Sequence, residues 1–130
     1  MKNILAFIIL TLTFNCFSQT QTEMNQEAYD LFHEADKELN NVYNKILTTY
    51  KSDSIFIENL KKSQRIWIKF RDSELEMKYP NYKASYYGSS HPMCRAFYLK
   101  ELTEERTKKL KVWLNGIEEG DMCSGSVKTN

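Results

Sequence analysis

Residues 28–50 read AYDLFHEADKELNNVYNKILTTY, and this stretch decides the fold. Its apolar positions are Leu31, Phe32, Ala35, Leu39, Val42, Tyr43, Ile46 and Tyr50, after a leading Ala28. Steps of three and four repeat without a break, the period of one buried face on an α-helix. The spacing predicts a helix from near Thr22 to around Thr49–Lys51. Ser52-Asp53-Ser54 then supplies capping residues for a second helix. Its stripe is Phe56, Leu60, Ser63, Trp67, Phe70, Glu74 and Met77, ending before Tyr79-Pro80 because proline pushes its predecessor out of helical geometry. A third helix starts at Pro92, whose missing N–H costs nothing in a first turn. It carries Leu99, Leu102, Arg106, Leu110 and Trp113, and Asn115-Gly116 stops it.

Three helices with one stripe each must bury those stripes on one another. The expected fold is all-α, a small up-down-up three-helix bundle. Composition agrees. The 130 residues include only four glycines and two prolines, and neither type occurs between Met1 and Tyr79. A sheet of short strands needs turn residues far more often. One loop has turn chemistry, residues 80–91, rich in Tyr, Ser and Gly between helices two and three.

Outside the helices, Lys2 precedes an uncharged apolar run, Ile4 to Leu12, followed by Cys16 and Ser18 as small residues. A lone cation, a short apolar run and small residues mark a secretory signal peptide, too short to span a bilayer. The expected division is a leader at 1–18, a helical domain at 19–116 and a polar C-terminal tail at 117–130. The exported chain is then periplasmic or secreted, with no transmembrane segment. Lipidation at Cys16 is the less favoured alternative, since Asn15 is a poor residue for a lipobox. Losing Lys2 leaves 17 basic residues against 17 acidic ones. A neutral chain makes no strong claim on nucleic acid.

Polar residues fall on the apolar faces. Arg106 sits within the third stripe and Arg71 lies one turn after Trp67. A desolvated, unpaired guanidinium costs several kcal/mol, so each needs a partner. Asp36, at the edge of the first stripe, is the expected acceptor from Arg106 or Arg71, with Asn40 and Gln64 completing a structural interhelical network.

These residues also carry a resemblance. The run Asp36-Lys37-Glu38-Leu39-Asn40-Asn41-Val42-Tyr43 resembles the first-helix signature of the LprI-like lysozyme-inhibitor domain. Ser63 to Asp72, with Gln64, Trp67 and Arg71-Asp72, resembles its second. Gly88-Ser89-Ser90, Cys94 and Leu102 to Arg106 resemble its third block. The resemblance covers roughly residues 20–114 and implies a small, helical, exported protein whose partner is a lysozyme-type hydrolase. Family members often carry two further cysteines, where this chain has Gln26 or Glu27, and Glu74 or Leu75. The two cysteines kept after export, Cys94 and Cys123, are expected to pair and tie the tail back. That pairing requires the tail to run nearly straight along the bundle, or helix three to break, for instance at Thr103.

No chemistry of an enzyme stands out. His33 and His91 are the only histidines, and there is no His-Glu-x-x-His, Cys-x-x-Cys or glycine-rich phosphate loop. The reading is a non-enzyme without cofactor or metal. Its expected partner-binding residues are Tyr82, Tyr86, Tyr87, Ser89 and Ser90, a composition that gives large amphipathic contact with adaptable hydrogen bonding. The same rings could instead cap the open end of the bundle. Two functions follow: an inhibitor docking this loop on a cell-wall hydrolase, or an envelope interaction or assembly module sharing only the scaffold.

Overall fold

The computed structural model describes residues 20–83 and 85–130. The leader and Cys16 lie outside the described residues. Three helices follow in order: α1 Gln21–Thr49, α2 Ser54–Lys78 and α3 His91–Asn115. A capping box opens α1: Glu23 N–H donates to Thr20 Oγ1 at 3.2 Å and Thr20 N–H to Glu23 Oε2 at 2.7 Å. Asp53 caps α2 by accepting from Phe56 N–H at 2.9 Å. Pro80 stands just after α2, and Pro92 occupies the first turn of α3. Gly116 ends α3 at φ +79°, where a Cβ would lie 2.5 Å from Asn130 Oδ1. Only glycine fits there.

The chain runs up, down and up. Asn25 Nδ2 donates to Ser89 O at 3.1 Å, joining the starts of α1 and α3. Tyr50 Oη donates to Trp113 O at 2.9 Å, joining their ends. Parallel α1 and α3 lie close together, while α2 stands farther off and meets them through long side chains. The close seam is built from Ala28, Ala35, Leu39, Val42 and Ile46 of α1 and from Ala96, Thr103, Thr107 and Leu110 of α3. Small residues on both sides let the two backbones approach. Leu39, Val42, Ile46, Leu60 and Leu110 form the core, ringed by Tyr50, Phe56, Trp67 and Trp113. Lys111 Nζ bridges to Glu38 Oε1 at 2.8 Å across α1 and α3. That bond and the lysine's charge hold the Glu38 carboxyl below the ordinary range.

Three expectations are corrected. The second stripe slips from Ser63 onward: Ser63 is exposed and Gln64 buried, Leu75 is buried and Arg71 half-buried, while Phe70 (53%) and Met77 (67%) are exposed. A straight helix turns 3.6 residues at a time, so a face read in heptads drifts away from its neighbour. The third stripe is also displaced. Its innermost residues are Ala96, Thr103, Thr107 and Leu110, whereas Leu99, Leu102, Arg106 and Trp113 are half-buried.

Third, Cys94 and Cys123 are free thiols. Cys94 is in the first turn of α3 and Cys123 is past its other end. The tail does not run back along the bundle. It curls onto the end of α3, with Ile117 N–H donating to Lys128 O at 2.9 Å and Asn130 Nδ2 donating to Asn115 O. Trp113 Nε1 donates to Ser126 Oγ at 3.0 Å, and Lys128 N–H to Tyr50 Oη at 3.3 Å. About 30 Å of helix separates the two cysteines. Of the two cations offered to Asp36, Arg71 is the one it reaches, at 3.7 Å, and not Arg106. The bundle turns Arg106 toward α2, as the next section describes.

Candidate binding face

Two sites come from the polar residues. On the α1–α2 side, Arg71 donates from Nε and Nη2 to its neighbour Asp72 Oδ1 at 3.0 and 2.9 Å. Its Nη1 lies 3.7 Å from Asp36 Oδ1, a looser interhelical pair. Asn40 Nδ2 donates to Asp36 O at 2.9 Å and to Oδ2 at 3.1 Å, holding that carboxylate from one turn above. On the α2–α3 side, Arg106 Nε donates to Gln64 Oε1 at 3.0 Å and Nη2 to Ser63 Oγ at 3.0 Å. Trp67 lies between the two cations, with Arg71 Cζ 5.4 Å and Arg106 Cζ 5.9 Å from a ring centroid. So Asp36, Asn40 and Arg71 come together, Gln64 and Arg106 come together, and Trp67 stands between them. Ser63 is the member that sequence reasoning missed, because nothing in its spacing marks it as a partner of Arg106.

At the other end of the bundle the tyrosines divide into two groups. Tyr79 and Tyr87 are half-buried and brace the loop. Tyr87 stacks on His91 at 4.1 Å and 15°, and its Oη donates to Pro80 O at 2.9 Å. Tyr79 meets Tyr87 edge-on at 5.8 Å and Tyr98 at 6.4 Å. Tyr98 Oη donates to Glu74 Oε2 at 3.2 Å, and Lys78 Nζ sits 3.7 Å from its ring centroid. Burial pushes the hydroxyls of Tyr79, Tyr87 and Tyr98 upward, with Glu74 adding to the effect at Tyr98.

Tyr82 and Tyr86 form the second group. They pack edge-on at 4.8 Å yet remain 54% and 68% exposed. The loop is pinned beneath them: Tyr82 N–H donates to Pro80 O at 2.7 Å and Tyr86 N–H to Lys83 O at 2.9 Å. Gly88 turns the chain at φ +73°. Ser89 is exposed, and its carbonyl takes the Asn25 bond. Ser90 is half-buried before α3 and its side chain makes no capping bond. A cleft of about 650 Å³ opens beside the loop, lined by Glu76, Tyr79, Tyr82, Lys83, His91 and Arg95.

His33 is exposed on α1, edge-on to Tyr29 at 4.4 Å and remote in sequence from His91. Among the described residues no three His, Cys, Asp or Glu side chains converge as metal ligands. No helix among them is long and apolar enough to cross a membrane.

A family model described as "Lysozyme inhibitor LprI" matches residues 16–110, which takes in α1, α2, the tyrosine loop and most of α3. An uncharacterised protein of Rhizobium meliloti (strain 1021) is 32% identical over 110 residues, covering 76% of this chain and 77% of its own. No solved structure matches. The matched span runs from the capping box of α1 through Arg106, leaves out the curled tail, and makes the chain a member of the LprI lysozyme inhibitor family.

Proposed function

We propose that the chain is an exported, non-catalytic inhibitor of a lysozyme or related cell-wall hydrolase, and that the loop bearing Tyr82 and Tyr86 is its docking element. The observation that carries this reading is the division of labour among the tyrosines. Tyr79, Tyr87 and His91 form a packed base, and two large rings stand exposed on it. Binding energy concentrates in a few such anchors, and a preorganised loop loses little entropy on docking. Lys83, exposed and next in sequence to Tyr82, and Arg95 both line the cleft beside the rings. Glycoside hydrolases carry a pair of carboxylates in their clefts, so exposed aromatic rings with cations nearby suit that surface in shape and charge. Inhibition then works by occlusion. The family description supports the target class.

The test is calorimetric titration of the purified chain into lysozymes of several types. A saturable one-to-one complex with at least one is expected; the absence of heat across the set would contradict the reading. A second reading, the envelope assembly module, is favoured by one observation. Ile66 (58% exposed), Phe70 and Met77 line up on the outer face of α2 and stay more than half exposed among the described residues. Loss of an envelope partner in an Ile66→Ser, Phe70→Ser variant, with lysozyme binding absent in the parent, would favour the module.

A further inference from the structure

Arg106 is a half-buried cation that no carboxylate approaches within ion-pair distance among the described residues. Its acceptors, Gln64 and Ser63, are both neutral. A guanidinium carries five N–H groups, and these two bonds leave three without an acceptor among the described residues. The Ser63 hydroxyl accepts from Arg106, and its own hydrogen stays available to donate beside it. Burial already lowers the arginine's affinity for its proton, the sign of a charge short of compensation.

These donors line one side of a cleft of about 500 Å³ between α2, α3 and the tail. The rest of its wall is largely apolar: Phe56, Leu60, Leu110 and Trp113. Ser126 of the tail, held by Trp113 Nε1, contributes a further side. The volume is that of small-molecule sites, and such sites combine apolar walls with a few fixed polar groups. The other charge in the cleft is Asp53, the cap of α2, already engaged by Phe56 N–H. An anion is repelled there and drawn to Arg106, which fixes the orientation of any elongated acid.

We propose that this cleft binds a small amphiphilic carboxylate, its carboxyl group on Arg106 and Ser63 and its apolar stem along Leu60, Leu110, Phe56 and Trp113. The ligand supplies the counter-charge that the fold leaves out, and its stem covers the apolar wall. The site lies among the bundle helices and the tail, away from the tyrosine loop, and its occupancy does not depend on lysozyme binding.

The probe is decanoate, with decanamide as its uncharged counterpart, titrated calorimetrically into the purified chain. Saturable one-to-one binding of decanoate is expected, with decanamide at least about ten-fold weaker, the worth of a charge-assisted bond. Ser63→Ala changes an exposed residue and is expected to weaken decanoate about three-fold without altering the helical circular dichroism. Arg106→Gln, if folded by the same signal, is expected to lose at least about ten-fold. Equal affinity for acid and amide would overturn the proposal, as would no saturable decanoate binding. The acid–amide comparison uses the unaltered chain, so a misfolded Arg106 variant cannot protect the idea.

Discussion

Thr103 is fully buried on the α1–α3 seam, and its hydroxyl has no hydrogen-bond partner among the described residues. The seam gains from a small residue here and loses from a stranded polar atom. Valine has nearly the same shape without that atom. Thr103→Val is therefore expected to stabilise the fold by about 1–2 kcal/mol, raising the thermal midpoint by roughly 5 °C. An unchanged or lower midpoint in a thermal melt would show the hydroxyl to be satisfied. Arg106 allows a second check. Its partners place a coupling of about 1 kcal/mol with Gln64 in a double-mutant cycle, and less than about 0.5 with Asp36. At this scale the sequence was legible as to need and not as to address. Burial of Arg71 and Arg106 near Trp67 required polar partners, and spacing alone announced that. Which acceptor each reached depended on helix rotation: the slip along the second helix buries Gln64 where Arg106 meets it and brings Arg71 within reach of Asp36.

The helices as elements were the most legible part, because their ends are written in local chemistry. Asp53, Pro80, Pro92 and Gly116 mark boundaries through capping, ring geometry and a left-handed φ. The tail was not legible. Its contacts rest on single polar atoms with no pattern, and a disulfide expectation filled the gap: Cys94 and Cys123 suggested a return path that the curl at Ile117 forecloses. Tyr50 is the element-scale joint, since its hydroxyl donates to Trp113 O and accepts from Lys128 N–H. Tyr50→Phe removes both bonds and keeps the ring on Phe56, 4.6 Å between centroids. A loss of about 1 kcal/mol is expected, together with faster amide exchange at Lys128 and Asn130. Slowed or unchanged exchange there would mean the tail holds without Tyr50.

Taken whole, the molecule is a two-ended bundle. One end holds the apolar core and the curled tail, and the other holds the tyrosine loop. Alkaline pH tests the second end. Tyr79, Tyr87 and Tyr98 have hydroxyls raised above the ordinary value, so the folded chain keeps protons that the unfolded chain has released. Stability from these groups is complete below about pH 10 and falls as pH rises beyond it. A flat unfolding midpoint from pH 9 to pH 11 would contradict their burial. Composition announced the loop as a binding surface and equally as a core cap, and the structure half-buries Tyr79 and Tyr87 while leaving Tyr82 and Tyr86 exposed. Periodicity could not separate them, because a loop has none. The central claim is that Tyr82 and Tyr86 are the anchors of an inhibitor, and lysis of a cell-wall suspension by lysozyme measures it directly. The parent chain is expected to slow lysis, and Tyr82→Ser with Tyr86→Ser to raise the inhibition constant at least about thirty-fold at unchanged helical signal. Undiminished inhibition by that double variant, or a parent chain that leaves lysis untouched across lysozyme types, would contradict it.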